Sequence, residues 1–152
     1  RARSRSDAEL DVDAELRFRL GRIVELARPH RLFAAGTDAD DFARFVAGIA
    51  YAFGTKQDSV DRQVVGVAER LRQALPVQLR RRVAERLASA PALDPAAYIA
   101  ACNRAADRSG LLACGHTAIA IHAAGGAAKS RHLVELGASQ KYLVARKKLR
   151  RR

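Results

Sequence analysis

The side chains able to bind a metal or attack a substrate are few in this 152-residue chain: His30, His116, His122 and His132, Cys102 and Cys114, and scattered serines and acids. Two imidazoles grip a zinc ion from one helix when they stand at i and i+4. None do so here. His116 and His122 are six apart, on poorly matched faces, and the other two are isolated, so each reads as a lone surface or internally satisfied histidine. Ser109-Gly110 and Gly125-Gly126 lack the flanking residues of a nucleophile elbow or a phosphate loop and read as helix ends and tight packing. Both cysteines fall in patterns that read as helix interior, where small buried hydrophobes are expected rather than a bridge or a metal pair. Spacing alone gives no catalytic constellation, metal site or cofactor site, and a hydrolase with an unrecognised site is the weakest functional reading.

The elements that would position any site are helical. Thirty-two alanines and 23 arginines set a strong helical bias and point to a GC-rich bacterial source, and no β-branched cluster with two-residue alternation argues for a sheet. Acidic residues at 7, 9, 11, 13 and 15 suit the positive N-terminal end of a first helix, with Asp7 as its cap. From there Leu16, Leu20, Ile23, Val24 and Ala27 recur at three and four residues as an amphipathic stripe, which Arg28-Pro29-His30 ends. Thr37, with Asp40 three residues on, caps a second helix carrying Phe42, Phe45, Val46, Ile49 and Phe53 and ending at Gly54. A third runs from about Ser59 to Ala74, and Pro76 opens a fourth that closes before Pro91. Asp94-Pro95 then starts a long helix reaching Cys114, with Gly115 ending it. A short helix over 117–124 stops at Gly125-Gly126, and two more short pieces begin near 129 and 139. The fold expected is all-α, about seven amphipathic helices in one compact orthogonal bundle. It divides into a basic arm over 1–6, a single helical domain over 7–138 and a basic C-terminal helix over 139–152.

Two segments carry a resemblance. Glu15-Leu16-Arg17-Phe18-Arg19-Leu20-Gly21-Arg22-Ile23-Val24-Glu25-Leu26 is similar to the metal-binding helix of the HtpX-like zinc metallopeptidases of the CAAX-prenyl-protease type, where a Glu-Leu-x-x-x-Leu-Gly stretch leads into His-Glu-x-x-His. About eighty residues later, Asn103-Arg104-Ala105-Ala106-Asp107-Arg108-Ser109-Gly110-Leu111-Leu112-Ala113-Cys114 resembles the family's second helix, in which the third zinc ligand, a glutamate, stands four residues before the aspartate of an Ala-Asp-Arg-x-Gly-Leu run. The resemblance implies the helical core of a gluzincin-type peptidase, and bacterial relatives often carry upstream tetratricopeptide-like repeats. A chain without methionine that begins on Arg1 fits the expectation of a piece cut from a longer protein.

Position by position, the resemblance puts the first zinc histidine at Arg22, the general-base glutamate at Ile23, the second histidine at Leu26 and the third-ligand glutamate at Asn103. Arginine does not give up its proton to bind zinc, isoleucine and leucine offer no lone pair, and one neutral amide does not hold the ion. Without metal-bound water and a carboxylate to take its proton, the family's hydrolysis is lost rather than weakened. What survives of the pattern is Asp107, expected to form a structural ion pair with Arg22 or Arg104, and Gly110, expected to allow close packing.

The leading expectation is therefore a non-catalytic pseudo-metallopeptidase domain, without metal or cofactor, that serves as a scaffold or protein-interaction module in a larger bacterial protein. An alternative comes from the formal charge of +12, which is concentrated at the ends. Arg1, Arg3 and Arg5 stand at one end, and Lys141, Arg146, Lys147, Lys148, Arg150, Arg151 and Arg152 at the other, whereas residues 6–140 balance 18 basic against 16 acidic side chains. The C-terminal cluster suits nucleic acid or an anionic membrane surface, although Tyr142 as its one aromatic gives little support for base stacking. No apolar run reaches the length that spans a bilayer, so the piece reads as soluble and cytoplasmic.

Overall fold

The computed structural model describes residues 7–54 and 61–150. Among them are nine helices and no strand: α1 (Asp7–Leu26), α2 (Pro29–Gly36), α3 (Ala39–Phe53), α4 (Arg62–Ala74), α5 (Val77–Ser89), α6 (Pro95–Cys114), α7 (Thr117–Ala123), α8 (Arg131–Gly137) and α9 (Gln140–Arg150). The all-α class holds, with nine helices where about seven were expected. The basic arm over 1–6, the start proposed near Ser59, Arg151, Arg152 and the side chain of Arg150 lie outside the described residues.

Most helix ends follow from local chemistry. The Asp94 carboxylate accepts from the Ala97 amide at 3.1 Å, with Pro95 at the first helical position, where its missing N–H costs nothing. Gly115, at φ +76°, ends α6 in a conformation that side-chain-bearing residues rarely adopt, while its amide still donates to Leu111 O. α2 is the element the sequence reading did not contain. Pro29 reads as a stop for α1, and it is also the first residue of a new helix, in which the Leu32 amide donates to Arg28 O at 2.9 Å. The capping of α3 also differs. The Thr37 hydroxyl bonds back to Phe33 O at 2.7 Å and closes α2, which leaves Asp38 as the N-cap accepting from the Asp41 amide at 2.8 Å.

The sequence suggests one helical domain, whereas contacts gather the chain into two compact units. The first comprises residues 1–32 with 101–152, and the second residues 33–100. In the second, α3 packs on α4 and α5, and Phe42 stacks on Tyr98 with ring centroids 5.8 Å apart. Phe33 tilts against Phe42 and Phe45. Arg72 of α4 donates to the Tyr51 and Ala52 carbonyls at 3.1 and 3.2 Å, so a cation satisfies the open C-terminal end of α3.

The first unit has its core in Ala14, Phe18, Leu111, Cys114, Ala120, Leu133 and Tyr142. Cys102 and Cys114 are buried free thiols, as expected. α1 enters this core by the face opposite to its apolar stripe. Phe18 is 1% exposed, whereas Leu20 is 51% and Ile23 60% exposed, with Val12, Leu16 and Val24 exposed alongside them. Leu16 and Leu20 each stand two residues from Phe18, a rotation of about 200°, and so point away from it. The buried side instead reads Ala14, Phe18, Gly21, Arg22 and Glu25, again at three- and four-residue spacing but mixed in chemistry.

α1 meets the 101–114 part of α6 at two glycines. A Cβ on Gly110 would stand 2.8 Å from the Phe18 carbonyl oxygen and 2.7 Å from its ring, and one on Gly21 would stand 2.8 Å from Ser109 O. The close packing expected of Gly110 is present, and Gly21 is its counterpart on the facing helix.

Candidate functional site

The glycine contact between α1 and α6 brings the next turn of each helix within side-chain reach, and both turns are charged. Arg22 Nη1 pairs with Asp107 Oδ1, one of the two arginine partners the sequence proposed. From α8, His132 Nε2 lies 2.9 Å from Asp107 Oδ2, so one carboxylate joins three helices of the same unit. Asp107 is 8% exposed. A turn further along α1, Glu25 is buried as well, accepting from Ser109 Oγ at 3.2 Å and pairing with Arg31 and with Arg28 Nε, the last at 3.0 Å. The junction is thus a short ladder of two carboxylates, each tied across helices and each facing more than one donor.

The electrostatics follow from this burial. The Arg22 guanidinium is drawn below its ordinary value by burial. For Glu25, burial pushes the carboxyl upward, but Ser109, Arg31 and Arg28 together outweigh it and hold the group below the ordinary carboxylate value. The His132 imidazole is held below its ordinary value of 6.5 by burial first, then by the positive charges of Arg108, Arg104 and Arg22, against an opposing pull from Glu135. Because the folded chain favours the neutral ring, the unfolded state binds more protons near this pH, and stability rises with pH. The contribution is complete above about pH 6.5 and fades as pH falls through the lowered folded value. Melting temperature is therefore expected to drop as pH falls below about 6.5, and His132→Gln to flatten that slope, as followed by circular dichroism.

The four positions where the resemblance would place zinc chemistry do not share one environment. Arg22 is half-buried in the ladder, Ile23 lies on the exposed side of α1, Leu26 is half-buried and Asn103 is exposed. The group that Arg22 meets on α6 is Asp107, one turn beyond Asn103. A zinc ion needs neutral imidazole, thiolate or carboxylate donors, and a guanidinium, two aliphatic chains and an exposed amide do not fit it. Among the described residues no three His, Cys, Asp or Glu side chains come together as a metal-holding group.

The sequence reading gave Glu25, Ser109, Arg31 and His132 no part in a common junction. Glu25 and Ser109 could have been read from spacing, since Glu25 follows Arg22 by three residues on one helix face and Ser109 follows Asp107 by two. His132 had no local signal, because only the tertiary fold brings α8 to α6.

Of the residues expected to meet an anionic partner, Lys141, Lys147 and Lys148 are exposed on α9. Arg146 is a correction to that set. It is half-buried, and its guanidinium turns inward to donate to the carbonyls of Leu112 at 3.2 Å and Gly115 at 3.5 Å, closing the C-terminal end of α6. Helical rotation separates it from the lysines: Tyr142 and Arg146, one turn apart, face the unit, while Lys141 and Lys148 look outward. No helix among the described residues is long and apolar enough to cross a membrane. Comparison with known proteins yields no matching family model, no matching curated protein and no matching solved structure.

Proposed function

We propose that the chain is a non-catalytic helical domain of pseudo-metallopeptidase type, a scaffold or protein-interaction module of a larger bacterial protein. The observation that carries this reading is the Arg22–Asp107–His132 junction. At the α1–α6 contact, Arg22, where the resemblance would put the first zinc histidine, is a guanidinium locked to a carboxylate. The guanidinium has no electron pair to offer a metal, and its pairing with the carboxylate joins helices. The role it supports is the holding of a fixed surface. After dialysis the chain is expected to carry far less than one zinc per molecule by elemental analysis, and a chelator is expected to leave its melting temperature unchanged. About one zinc per chain overturns the proposal.

A second reading, binding to nucleic acid or another anionic surface, rests on Lys141, Lys147 and Lys148 lying exposed on one helix whose other side is anchored by Tyr142 and Arg146. Its signature is duplex-DNA affinity that falls with salt, at a log–log slope of about −0.9 for each phosphate contact. Lys→Gln at these three positions is expected to reduce that slope by about three contacts' worth, as measured by fluorescence anisotropy.

A further inference from the structure

We propose that the outer face of α1 pairs antiparallel with the same face of a second copy of the chain, about a two-fold axis near Leu16. The face consists of Val12, Leu16, Leu20, Ile23 and Val24, each more than half exposed. Five neighbouring aliphatic side chains on one helix make an apolar patch on the order of a few hundred Å², the size at which exposed apolar surface on a folded chain marks a contact site. Scattered hydrophobes need no explanation, but a stripe at three- and four-residue spacing along one side of a 20-residue helix does.

The charges beside the stripe select the occupant. The first nine residues of α1 hold five acids, Asp7, Glu9, Asp11, Asp13 and Glu15, and no base, while the remainder holds Arg17, Arg19 and Arg22 against Glu25. Arg22 and Glu25 are already engaged on the buried side, which leaves Arg17 and Arg19 as the basic groups nearest the stripe. A helix that is acidic in its first half and basic in its second is complementary to its own reverse. Running a copy antiparallel about Leu16 sets acids beside the bases on either side of the axis, whereas running it parallel sets like against like. The angular positions agree. Glu15 and Arg19 lie on one flank of the stripe, so a two-fold axis near Leu16 opposes Glu15 to the second copy's Arg19. The same axis sets Val12 against Leu20 of the second copy and Leu16 against itself. The Glu15–Arg19 contact within one helix is exposed and contributes little, so exchanging it for a contact between copies costs little. An interface of this area sits at or below the small end of specific contacts, so the dimer is a weak one that dissociates on dilution.

The test is sedimentation of the full 152-residue chain over a concentration series, with helicity checked by circular dichroism. The expected result is a monomer–dimer equilibrium. Leu16→Glu, which would set two carboxylates together on the axis, is expected to raise the dimer Kd by about tenfold or more at unchanged helicity. Glu15→Arg and Arg19→Glu are each expected to weaken self-association, and mixing the two variants to restore a mixed dimer. Orientation is read by oxidising Val12→Cys mixed with Leu20→Cys: antiparallel pairing gives the mixed disulfide in excess, and self-linked products alone overturn the orientation. The pairing itself is overturned by a chain that stays monomeric at every concentration. It is equally overturned by a dimer that Leu16→Glu leaves intact.

Discussion

Asp107→Ala is expected to destabilise the chain by about 2–4 kcal/mol, because it strands the Arg22 guanidinium and leaves the His132 ring without its nearest carboxylate oxygen. Removing one partner of a fully buried pair costs roughly 3–5 kcal/mol. The figure is lower here because the Arg22 side chain is 28% exposed and can recover part of its hydration. Alanine's better helix propensity returns roughly 0.5 kcal/mol. Urea unfolding measures the loss, and the paired replacement Arg22→Met with Asp107→Leu separates its sources. If the cost lies in the stranded charge, the double variant stays within about 1 kcal/mol of the parent, since apolar side chains of similar volume often replace a buried ion pair without loss. If it instead falls as far as Asp107→Ala alone, the junction contributes through the carboxylate's link to α8.

The second large effect contrasts the two faces of α1. Phe18→Ala empties a fully buried site bounded by the α6 backbone at Gly110, which has no side chain to move into the space, so a loss of about 3–5 kcal/mol is expected. Leu20→Ala, measured in dilute solution where the chain is monomeric, is expected to stay within about 0.5 kcal/mol, as exposed substitutions do. By the ordinary rule that the richest apolar stripe of a helix is its buried one, the order would be reversed. Chemical denaturation of the two variants decides which face the folded chain uses.

That reversal shows where sequence reasoning reached its limit. Helix ends were legible because each rests on a few adjacent residues: the Asp94-Pro95 start, the Gly115 stop and the Gly125-Gly126 break all stand in the structure. α2 was not, since Pro29 obeys two rules at once, ending the helix before it and fitting the first position of the next. The buried face of α1 was hidden for a different reason. Hydrophobic periodicity registers apolar residues, whereas the face that packs uses small residues for closeness and polar groups for cohesion, and the α6 partners of Arg22 and Glu25, Asp107 and Ser109, lie some eighty residues away. Arg22–Asp107 was legible all the same, because the two resembling segments singled out both residues. His132, on neither segment, was not.

The seating of Arg146 on the end of α6 bears on how the basic C-terminus can be dissected. A deletion from Lys141 onward would remove Tyr142 from the core and uncap the Leu112 and Gly115 carbonyls, so any lost binding would be confounded with a loosened fold. The positive groups of α9 are therefore not a detachable appendage. Only side-by-side neutralisation of the three outward lysines, with Arg146 left in place, separates an electrostatic contribution from an architectural one.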